Sequence, residues 1–494
     1  MSGYAYRAAL CICMMVAMLS ACSPTPPAPE GDVAAFERQL DALVPALLQR
    51  YAVPGASVAV VHGGEVVWAQ GYGLADKTQG RTVTPDTIFQ VASISKPVTV
   101  WGVMRLVETG KLELDAPVER YLTRWHLPPS EYDVNGVTIR RLLSHSAGLS
   151  LHGYPGHDPA QPLPSIEASL SGDNGGPVAL TMPPGAQFSY SGGGYTLLQL
   201  TIEEVTGETF AAYMQRTVLG PLGMEHSAFE WTPATAAAAA TGYGVDGQPQ
   251  PAYIWTEKAA AGLYTTAPDL ARWVAAAMPG PGSAPAGRGV LQPATLETMF
   301  APAIAVTGAE ATVGEDAYGL GYALEAKERG LMVSHGGSNQ GWLTYFAALP
   351  GSGEGLVVLT NSDRSAPLTA DVLTAWADWL RAGTTKTGRA LSAVRTGGLV
   401  LLGLIGVAVL INLARIIRRA RAPQVRPVGL REMLVGLGAP GILLAVWLYR
   451  LRAFADAFMP DIAAWLTIGL IVWLVLIVAG AALTHLPPRS ATAG

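Results

Sequence analysis

Ser93 and Lys96 are the pair of side chains in this sequence best suited to covalent chemistry, in the stretch F-Q-V-A-S-I-S-K-P-V at 89–98. If Ser93 begins a helix, Lys96 lies one turn later on the same face, within reach of the hydroxyl. A serine hydroxyl is a poor nucleophile unless a neighbouring base removes its proton. Burial and the positive end of a helix both lower the pKa of a lysine from about 10.4 toward neutrality. The apolar neighbours Val91 and Ile94 favour a nucleophile with its base, but S-x-x-K alone is a weak pattern, and a chance match or a merely structural lysine is an equal alternative at this point.

Positioning this pair requires a scaffold, and the hydrophobic spacing predicts one between residues 33 and 382. Two β-rich runs around a glycine turn predict a hairpin over 56–70, and three strand candidates lie near the end of this segment. Amphipathic spacing predicts helices over Val33–Arg50, Ser93–Thr109, Tyr195–Thr206 and Leu368–Arg381. Strands at both ends with helices between them indicate one sheet closed by distant pieces of chain, together with a helical insertion.

Several stretches of this segment resemble the serine β-lactamase and penicillin-binding-protein superfamily, in its branch of class C β-lactamases, D-aminopeptidases and esterases. The resemblance covers about residues 33–382 in unbroken order. It implies an α/β (α+β) fold with a central antiparallel sheet, flanking helices and a helical subdomain. The stretches that carry it are V-T-P-D-T-I (83–88) with F-Q-V-A-S-I-S-K-P, G-K-L-E-L-D-A-P-V (110–118), T-I-R-R-L-L-S-H-S-A-G-L (138–149), P-P-G-A-Q-F-S-Y-S-G-G-G-Y-T-L-L-Q-L (183–200), A-A-A-G-L-Y-T-T-A-P-D-L-A-R-W (259–273) and H-G-G-S-N-Q-G-W (335–342).

The resemblance also implies roles for individual residues. Ser93 matches the nucleophile, Lys96 its base, and Tyr190 the tyrosine that carries a proton to the leaving group. The oxyanion hole would consist of the backbone N–H groups of Ser93 and Ser338. The expected substrate-binding positions are His335, Gly336, Gly337, Asn339 and Gly192; the two glycines would let a substrate backbone lie against the strand edge. For Asn339, simple surface polarity is the competing interpretation.

Two departures from the family pattern bear on the substrate. Gly192 stands where the family usually has the asparagine of a Tyr-x-Asn motif, and His335 stands where β-lactamases and transpeptidases have the lysine of K-T-G. Both changes remove groups that would hold a β-lactam, and they favour a peptidase, amidase or esterase. A literal K-T-G at 386–388 lies in the predicted linker 383–396 and is interpreted as coincidence.

The sequence gives little support for a metal, cofactor or nucleic-acid site. His145, His152 and His157 cluster in the sequence, but without the spacing of a metal motif, so we predict no metal and no cofactor; His145 is expected in a structural turn. The three cysteines, Cys11, Cys13 and Cys22, leave the globular segment without a disulfide or a cysteine metal site. The net charge of −5 and the absence of a basic stripe argue against nucleic acid as a partner.

Both ends of the chain predict attachment to a bacterial inner membrane. Residues 1–21 have the pattern of a lipoprotein signal peptide with Cys22 as the lipidated residue; an ordinary cleaved signal and an uncleaved anchor are the alternatives. Residues 22–32 form a proline-rich tether. Three apolar runs predict transmembrane helices over 397–484, and the six arginines at 415–431 place that loop in the cytoplasm and the catalytic domain in the periplasm. The runs are 397–414, 433–449 and 463–483.

The sequence thus predicts a membrane-anchored extracytoplasmic serine hydrolase that cleaves an amide or ester of a small-molecule or peptide substrate. The domain plan resembles that of peptidases that remove N-acyl-D-amino-acid caps from nonribosomal prodrugs, which favours D-amino-acid-containing or N-acyl substrates. A cell-wall D,D-peptidase, a weak penicillin-binding protein or β-lactamase, and an esterase are the alternatives. A slowly turning-over acylated sensor is an alternative of another class.

Overall fold

The computed structural model describes residues 28–308, 315–421, 438 and 441–482. The expected signal peptide, Cys22 and most of the arginine-rich loop lie outside them. Within the described residues, the centre is a nine-stranded sheet in which every neighbouring pair is antiparallel, in the order β3-β2-β1-β11-β10-β9-β8-β7-β6, and β4 pairs with β5. The strands are β1 Gly55–His62, β2 Glu65–Asp76, β3 Arg81–Thr82, β4 Phe89–Gln90, β5 Tyr264–Thr265, β6 Ile304–Ala305, β7 Ala317–Tyr318, β8 Ala323–Lys327, β9 Gly330–Asn339, β10 Trp342–Leu349 and β11 Glu354–Thr360.

Helices cover both faces of this sheet, so the expectation of a mixed α/β fold with a central antiparallel sheet is confirmed. They are α1 Val33–Tyr51, α2 Ser95–Glu108, α3 Ile139–Leu143, α4 Ile166–Ala168, α5 Gly192–Thr206, α6 Phe210–Met214, α7 Pro233–Ala238, α8 Lys258–Ala261, α9 Ala267–Ala276, α10 Pro293–Phe300, α11 Ala366–Trp379, α12 Lys386–Ala420, α13 Arg452–Phe458 and α14 Pro460–Ala482.

The sheet is closed by pieces from opposite ends of the segment, as the sequence predicts. The β1–β2 hairpin turns at Gly63 and Gly64, both with positive φ, and β1 then pairs along its length with β11. One face packs against α1 and α11, where Phe36 stacks on Trp379 with ring centroids 4.4 Å apart. The other face carries the helices between β3 and β6, and the larger hydrophobic core lies there.

Two helices, not three, are long and apolar enough to cross a membrane within the described residues: Lys386–Arg418 and Pro460–Gly480. They coincide with the first and third expected spans. The second expected span, 433–449, lies partly outside the described residues. Its described residues are 438 and 441–449, and the latter run into a wider helical turn at Trp447–Leu451 that continues as α13.

The expected linker 383–396 is largely helical, because α12 begins at Lys386 rather than at 397. A local cap and contacts with the preceding domain stabilise this early start. Thr385 Oγ1 accepts the Gly388 N–H at 3.0 Å, Glu325 Oε1 accepts the Lys386 N–H at 2.9 Å, and Lys386 Nζ pairs with Asp316 at 2.6 Å. Glu325 and Asp316 are distant in sequence, so local patterning could not reveal these contacts. K-T-G at 386–388 is therefore the first turn of a helix.

Candidate active site

Ser93 lies in a tight turn between β4 and α2. The turn is a 3-10 segment, Ala92–Ile94, and Ala92 has a φ of 49°, in the left-handed region that non-glycine residues rarely occupy. Side-chain hydrogen bonds hold this conformation: Ser95 Oγ donates to the Ala92 carbonyl at 2.6 Å, and Thr344 Oγ1 donates to the Val91 carbonyl at 3.1 Å. A strained backbone held by its surroundings is common at functional sites.

Lys96 is buried one turn beyond Ser93, with only 2% of its surface exposed. Its Nζ lies 3.1 Å from Ser93 Oγ and 2.7 Å from the carbonyl oxygen of Ala260 at the end of α8. Burial lowers the pKa of Lys96 to about 7, because the ammonium is poorly solvated there. A substantial fraction of this amine is therefore neutral near pH 7 and can accept a proton.

Tyr190 lies against the same amine, with Lys96 Nζ 4.9 Å from the centroid of its ring. Desolvation raises the pKa of Tyr190, and a hydrogen bond with the Ser93 side chain only partly offsets this increase. The phenol is therefore protonated at neutral pH. Lysine, serine and tyrosine together form a compact group within which a proton can move between Nζ, Oγ and the phenol oxygen.

His145 holds both neighbours of Tyr190, a contact that sequence reasoning missed. Its backbone carbonyl accepts the Ser189 N–H at 2.7 Å, and its Nδ1 accepts the Ser191 N–H at 3.1 Å. The His145 and Tyr190 rings lie 4.1 Å apart between centroids. Burial, with the nearby Lys96 charge second, lowers the pKa of His145 well below 6.5, so the imidazole is neutral and Nδ1 can accept. The turn expected around His145 is present, with φ 53°, and its role is to fix the tyrosine.

Within the described residues, the second half of β9 has a free strand edge beside Ser93. Pairing between β9 and β8 ends at Ser334, whereas pairing with β10 continues to Asn339. Gly337 is required where β9 passes the Ser93 turn, because a Cβ there would lie 2.1 Å from the Val91 carbonyl oxygen. Asn339, at the end of this edge, donates from Nδ2 to Gln90 Oε1 at 3.1 Å.

His335 and Gly192 are the two positions that depart from the family pattern. Burial, together with the Lys96 charge, lowers the pKa of His335 to about 3, so its imidazole is neutral. Gly192 begins α5 under the loop that carries His152 and Tyr154. A Cβ at Gly192 would lie 3.0 Å from the His152 carbonyl oxygen and 3.3 Å from the Tyr154 ring. An asparagine would crowd this loop, which accounts for the glycine.

These residues share one cavity of about 640 Å³. Every catalytic, oxyanion and substrate-binding residue expected from the sequence lines it: Ser93, Lys96, Tyr190, Gly192, His335, Gly336, Gly337, Ser338 and Asn339. Sequence analysis did not assign the rest of the lining to the site, although Thr387 belongs to the K-T-G interpreted as coincidence and His152 to the histidine cluster. These residues include His152, Tyr154, Trp255, Ala260, Tyr345, Thr387, Leu391, Val394, Phe454 and Phe458.

The described residues contain no group of three or more histidine, cysteine, aspartate or glutamate side chains placed to hold a metal ion. Of the three histidines that cluster in the sequence, His145 and His152 pack on Tyr190. His157 lies against Asn174 Nδ2 at 2.9 Å.

Comparison with known proteins places this geometry in a family. The Beta-lactamase family model matches residues 40–378. Protein flp of Staphylococcus aureus (strain COL) is 26% identical over 340 residues, 66% of this chain and 63% of that protein. Esterase EstB of Burkholderia gladioli is 32% identical over 242 residues, 47% of this chain and 61% of that protein. The chain thus spans somewhat over three fifths of the length of these relatives.

A solved structure agrees with the sequence relatives. The octameric penicillin-binding protein homologue from Pyrococcus abyssi superposes with a TM-score of 0.59 and 28% identity, covering 72% of this chain and 78% of that one.

Proposed function

Because the chain belongs to the beta-lactamase family of serine hydrolases, we propose that it cleaves an amide or ester through an acyl-enzyme on Ser93. The observation that carries the proposal is the 3.1 Å contact between Ser93 Oγ and the buried Lys96 amine, whose pKa is lowered to about 7. A base at this distance is within hydrogen-bond reach of the proton it must remove.

In the proposed reaction, the neutral Lys96 amine accepts the Ser93 hydroxyl proton as Oγ bonds to the substrate carbonyl carbon. The carbonyl oxygen becomes negatively charged and accepts hydrogen bonds from the backbone N–H groups of Ser93 and Ser338, each worth about 3–4 kcal/mol. The Lys96 ammonium then returns the proton through the Tyr190 phenol to the leaving amine or alcohol as that bond breaks. Water attacks the acyl-enzyme along the same relay, and Ser93 leaves reprotonated. No metal or cofactor takes part.

The substrate we propose is an amide of a D-amino-acid-containing or N-acyl compound rather than a β-lactam. His335 is neutral, so it offers no permanent cation for a β-lactam carboxylate, and Gly192 offers no side-chain amide. The free edge of β9 from His335 to Asn339 suits an extended substrate backbone that adds as a strand. Ester cleavage is the second candidate, favoured by the match to Esterase EstB.

We place the enzyme in the bacterial inner membrane, with the catalytic domain in the periplasm. The two apolar helices Lys386–Arg418 and Pro460–Gly480 support membrane attachment. The arginines of 415–431 favour a cytoplasmic position for the end of α12, and the domain before α12 then lies outside. Lipidation of Cys22 would add a second anchor.

Labelling of the full-length protein with a fluorophosphonate tests the nucleophile. We expect wild type to be labelled and Ser93→Ala to lose both the label and the hydrolysis of N-acyl-D-amino-acid amides and p-nitrophenyl esters. Ser338→Ala is the matched control, because it removes a serine side chain from the same cavity but keeps the backbone N–H. Label that persists in Ser93→Ala would show that another residue is the nucleophile.

A further inference from the structure

The active-site cavity continues past the catalytic residues to a wall that the catalytic domain does not supply. Beyond His335 and Tyr345, its lining passes to α12 and α13, which follow the family-matched segment 40–378. The side chains of this wall are Thr387, Ala390, Leu391, Val394, Phe454 and Phe458. None of the six is charged.

The wall is one face of α12 closed by two phenylalanines of α13. Its α12 residues are spaced three and four apart, which places them on one side of the helix. Ala390, Leu391 and Val394 are half-buried, whereas Ser392 and Ala393 are exposed. The face that meets the cavity is therefore distinct from the outer face of the same helix.

Ion pairs fix α12 against the catalytic domain. Asp461 at the start of α14 accepts Arg395 of α12 at 2.8 Å and Arg50 of α1 at 3.2 Å. At the N-terminal end of α12, Lys386 pairs with Asp316 at 2.6 Å. These contacts connect both ends of the wall to neighbouring elements of the fold.

The opposite end of the cleft is polar. Beyond Ser338 and Asn339, a second cavity of about 280 Å³ is lined by tyrosine, tryptophan and amide groups and by Asp363. Ser93 therefore lies between two ends of the cleft. The apolar end is formed by α12, and the polar end is formed by residues beyond Ser338 and Asn339.

We propose that the apolar end binds the hydrocarbon chain of an amphiphilic substrate, which extends from Ser93 along α12 toward the membrane. The proposal rests on the proposed function, because it assigns the substrate class of the same site. Its grounds are the continuity of the wall with Ser93, the absence of charge among the six wall residues, and the position of the wall on α12, a helix long and apolar enough to cross a membrane.

Binding to full-length Ser93→Ala protein in nanodiscs tests the proposal without depending on turnover. The ligands are N-acyl-D-alaninamides with acyl chains of two to twelve carbons, and D-alanine N-alkylamides of matched length. The two series place the chain on opposite sides of the bond to be cleaved. Titration into empty nanodiscs measures partition into lipid and is subtracted. We expect the Kd of one series to fall by roughly two- to fourfold for each added CH₂, since a fully buried CH₂ corresponds to about fourfold.

Two tryptophan substitutions on α12 locate the chain. In the Ser93→Ala background, Ala390→Trp places a bulky side chain on the wall and fills this end of the cavity. We expect it to raise the Kd of the twelve-carbon ligand by at least tenfold more than the Kd of the two-carbon ligand. Ala393→Trp adds the same bulk on the exposed face three residues away, and we expect no such difference. If both variants abolish the dependence of Kd on chain length equally, or if neither variant changes it, the hydrocarbon chain does not lie against the wall as proposed.

The outcomes separate this proposal from the proposed function. A Kd that does not depend on chain length in either series overturns the proposal, and so does a tightly bound phospholipid that no ligand displaces. Hydrolysis of the two-carbon compounds by wild type would still support the proposed function in that case. Conversely, chain-length-dependent binding without any turnover in wild type supports the hydrocarbon site and contradicts the hydrolase.

Discussion

Burial is the main cause of the lowered pKa of Lys96. Desolvation accounts for the fall to about 7, and no charged neighbour among the described residues is needed to explain it. The amine keeps two hydrogen-bond acceptors, Ser93 Oγ and the Ala260 carbonyl oxygen. A lysine in this position can exchange a proton readily because neither protonation state is strongly preferred near neutral pH.

The pH dependence of the reaction follows from this pKa. Below about pH 7 Lys96 is protonated and cannot accept the Ser93 proton, so kcat/KM should fall about tenfold per pH unit on the acid side and level off above it. His335, whose pKa is about 3, and His145 stay neutral across this range and should not contribute. Initial rates on a neutral ester between pH 5 and 9 measure the profile. A rate that still rises about tenfold per pH unit between pH 8 and 9, as expected for an exposed lysine with a pKa near 10, would rule out the buried base.

His145 should act as a positioning residue for Tyr190. His145→Leu leaves the buried Ser191 N–H without its acceptor, a loss of about 1–3 kcal/mol, and we expect kcat to fall roughly tenfold to a hundredfold. His145→Asn should restore much of the activity, because asparagine tolerates the positive φ and can present an oxygen near the position of Nδ1.

Steady-state kinetics and thermal unfolding of both variants distinguish positioning from simple stability. If His145→Asn is as inactive as His145→Leu while both unfold like wild type, the imidazole has a role other than accepting the Ser191 N–H.

Side chains that belong to a recognisable sequence motif could be proposed as site residues from the sequence. Side chains that reach the site only through the tertiary fold could not. Ser93 and Lys96 could be proposed from spacing and apolar context, and Tyr190 from the resemblance. For His145 the sequence predicted a structural turn but not the contacts with residues 189–191, because those contacts depend on where the chain folds back. The hydrogen bond from Lys96 Nζ to the Ala260 carbonyl oxygen could not be predicted either, since a backbone acceptor can belong to any residue type.

At the scale of elements, β9 has two neighbouring glycines with different tasks. A Cβ at Gly337 would lie 2.1 Å from the Val91 carbonyl oxygen, whereas a Cβ at Gly336 would lie 3.4 Å from the Tyr345 ring, an ordinary contact. Gly337 therefore lets the sheet approach the turn that carries Ser93. Gly336 is exposed and faces the cavity.

This difference predicts opposite outcomes for the same substitution. Gly337→Ala should lower the free energy of unfolding by about 3 kcal/mol, because β9 must move away from Val91. Gly336→Ala should change it by no more than about 0.5 kcal/mol. Thermal or denaturant unfolding of the two variants side by side measures the contrast. Equal destabilisation would show that β9 does not approach the turn as closely as described.

Elements with strong periodicity were predicted well, and their ends were predicted less well. The helix expected over Val33–Arg50 extends to Tyr51, and the hairpin at 56–70 is present with longer strands. The α5 helix begins at Gly192 rather than at Tyr195, because the Ser191 hydroxyl accepts the Gly194 N–H and caps three glycines that have low helix propensity. Tertiary hydrogen bonds set these boundaries, and hydrophobic patterning does not contain them.

At the scale of the whole molecule, Asp461 links the catalytic domain to the C-terminal helices by accepting both Arg50 and Arg395. Asp461→Asn should weaken both ion pairs, and we expect amide hydrogen exchange in residues 386–396 to become roughly tenfold faster. Asp456→Asn is the matched control, because its partner Arg452 lies within α13 at 2.7 Å. If amide hydrogen exchange in residues 386–396 accelerates equally in both variants, the ion pairs of Asp461 do not hold α12 against α1.

The wall that α12 contributes to the active-site cavity has a practical consequence. A fragment cut after Ala382, which removes both helices long and apolar enough to cross a membrane, would retain Ser93, Lys96 and Tyr190. One side of its cleft would then open to water where Leu391 and Val394 now stand. Inhibitors ranked on such a fragment would be selected for the exposed polar half alone, and the ranking would not transfer to the enzyme in the cell.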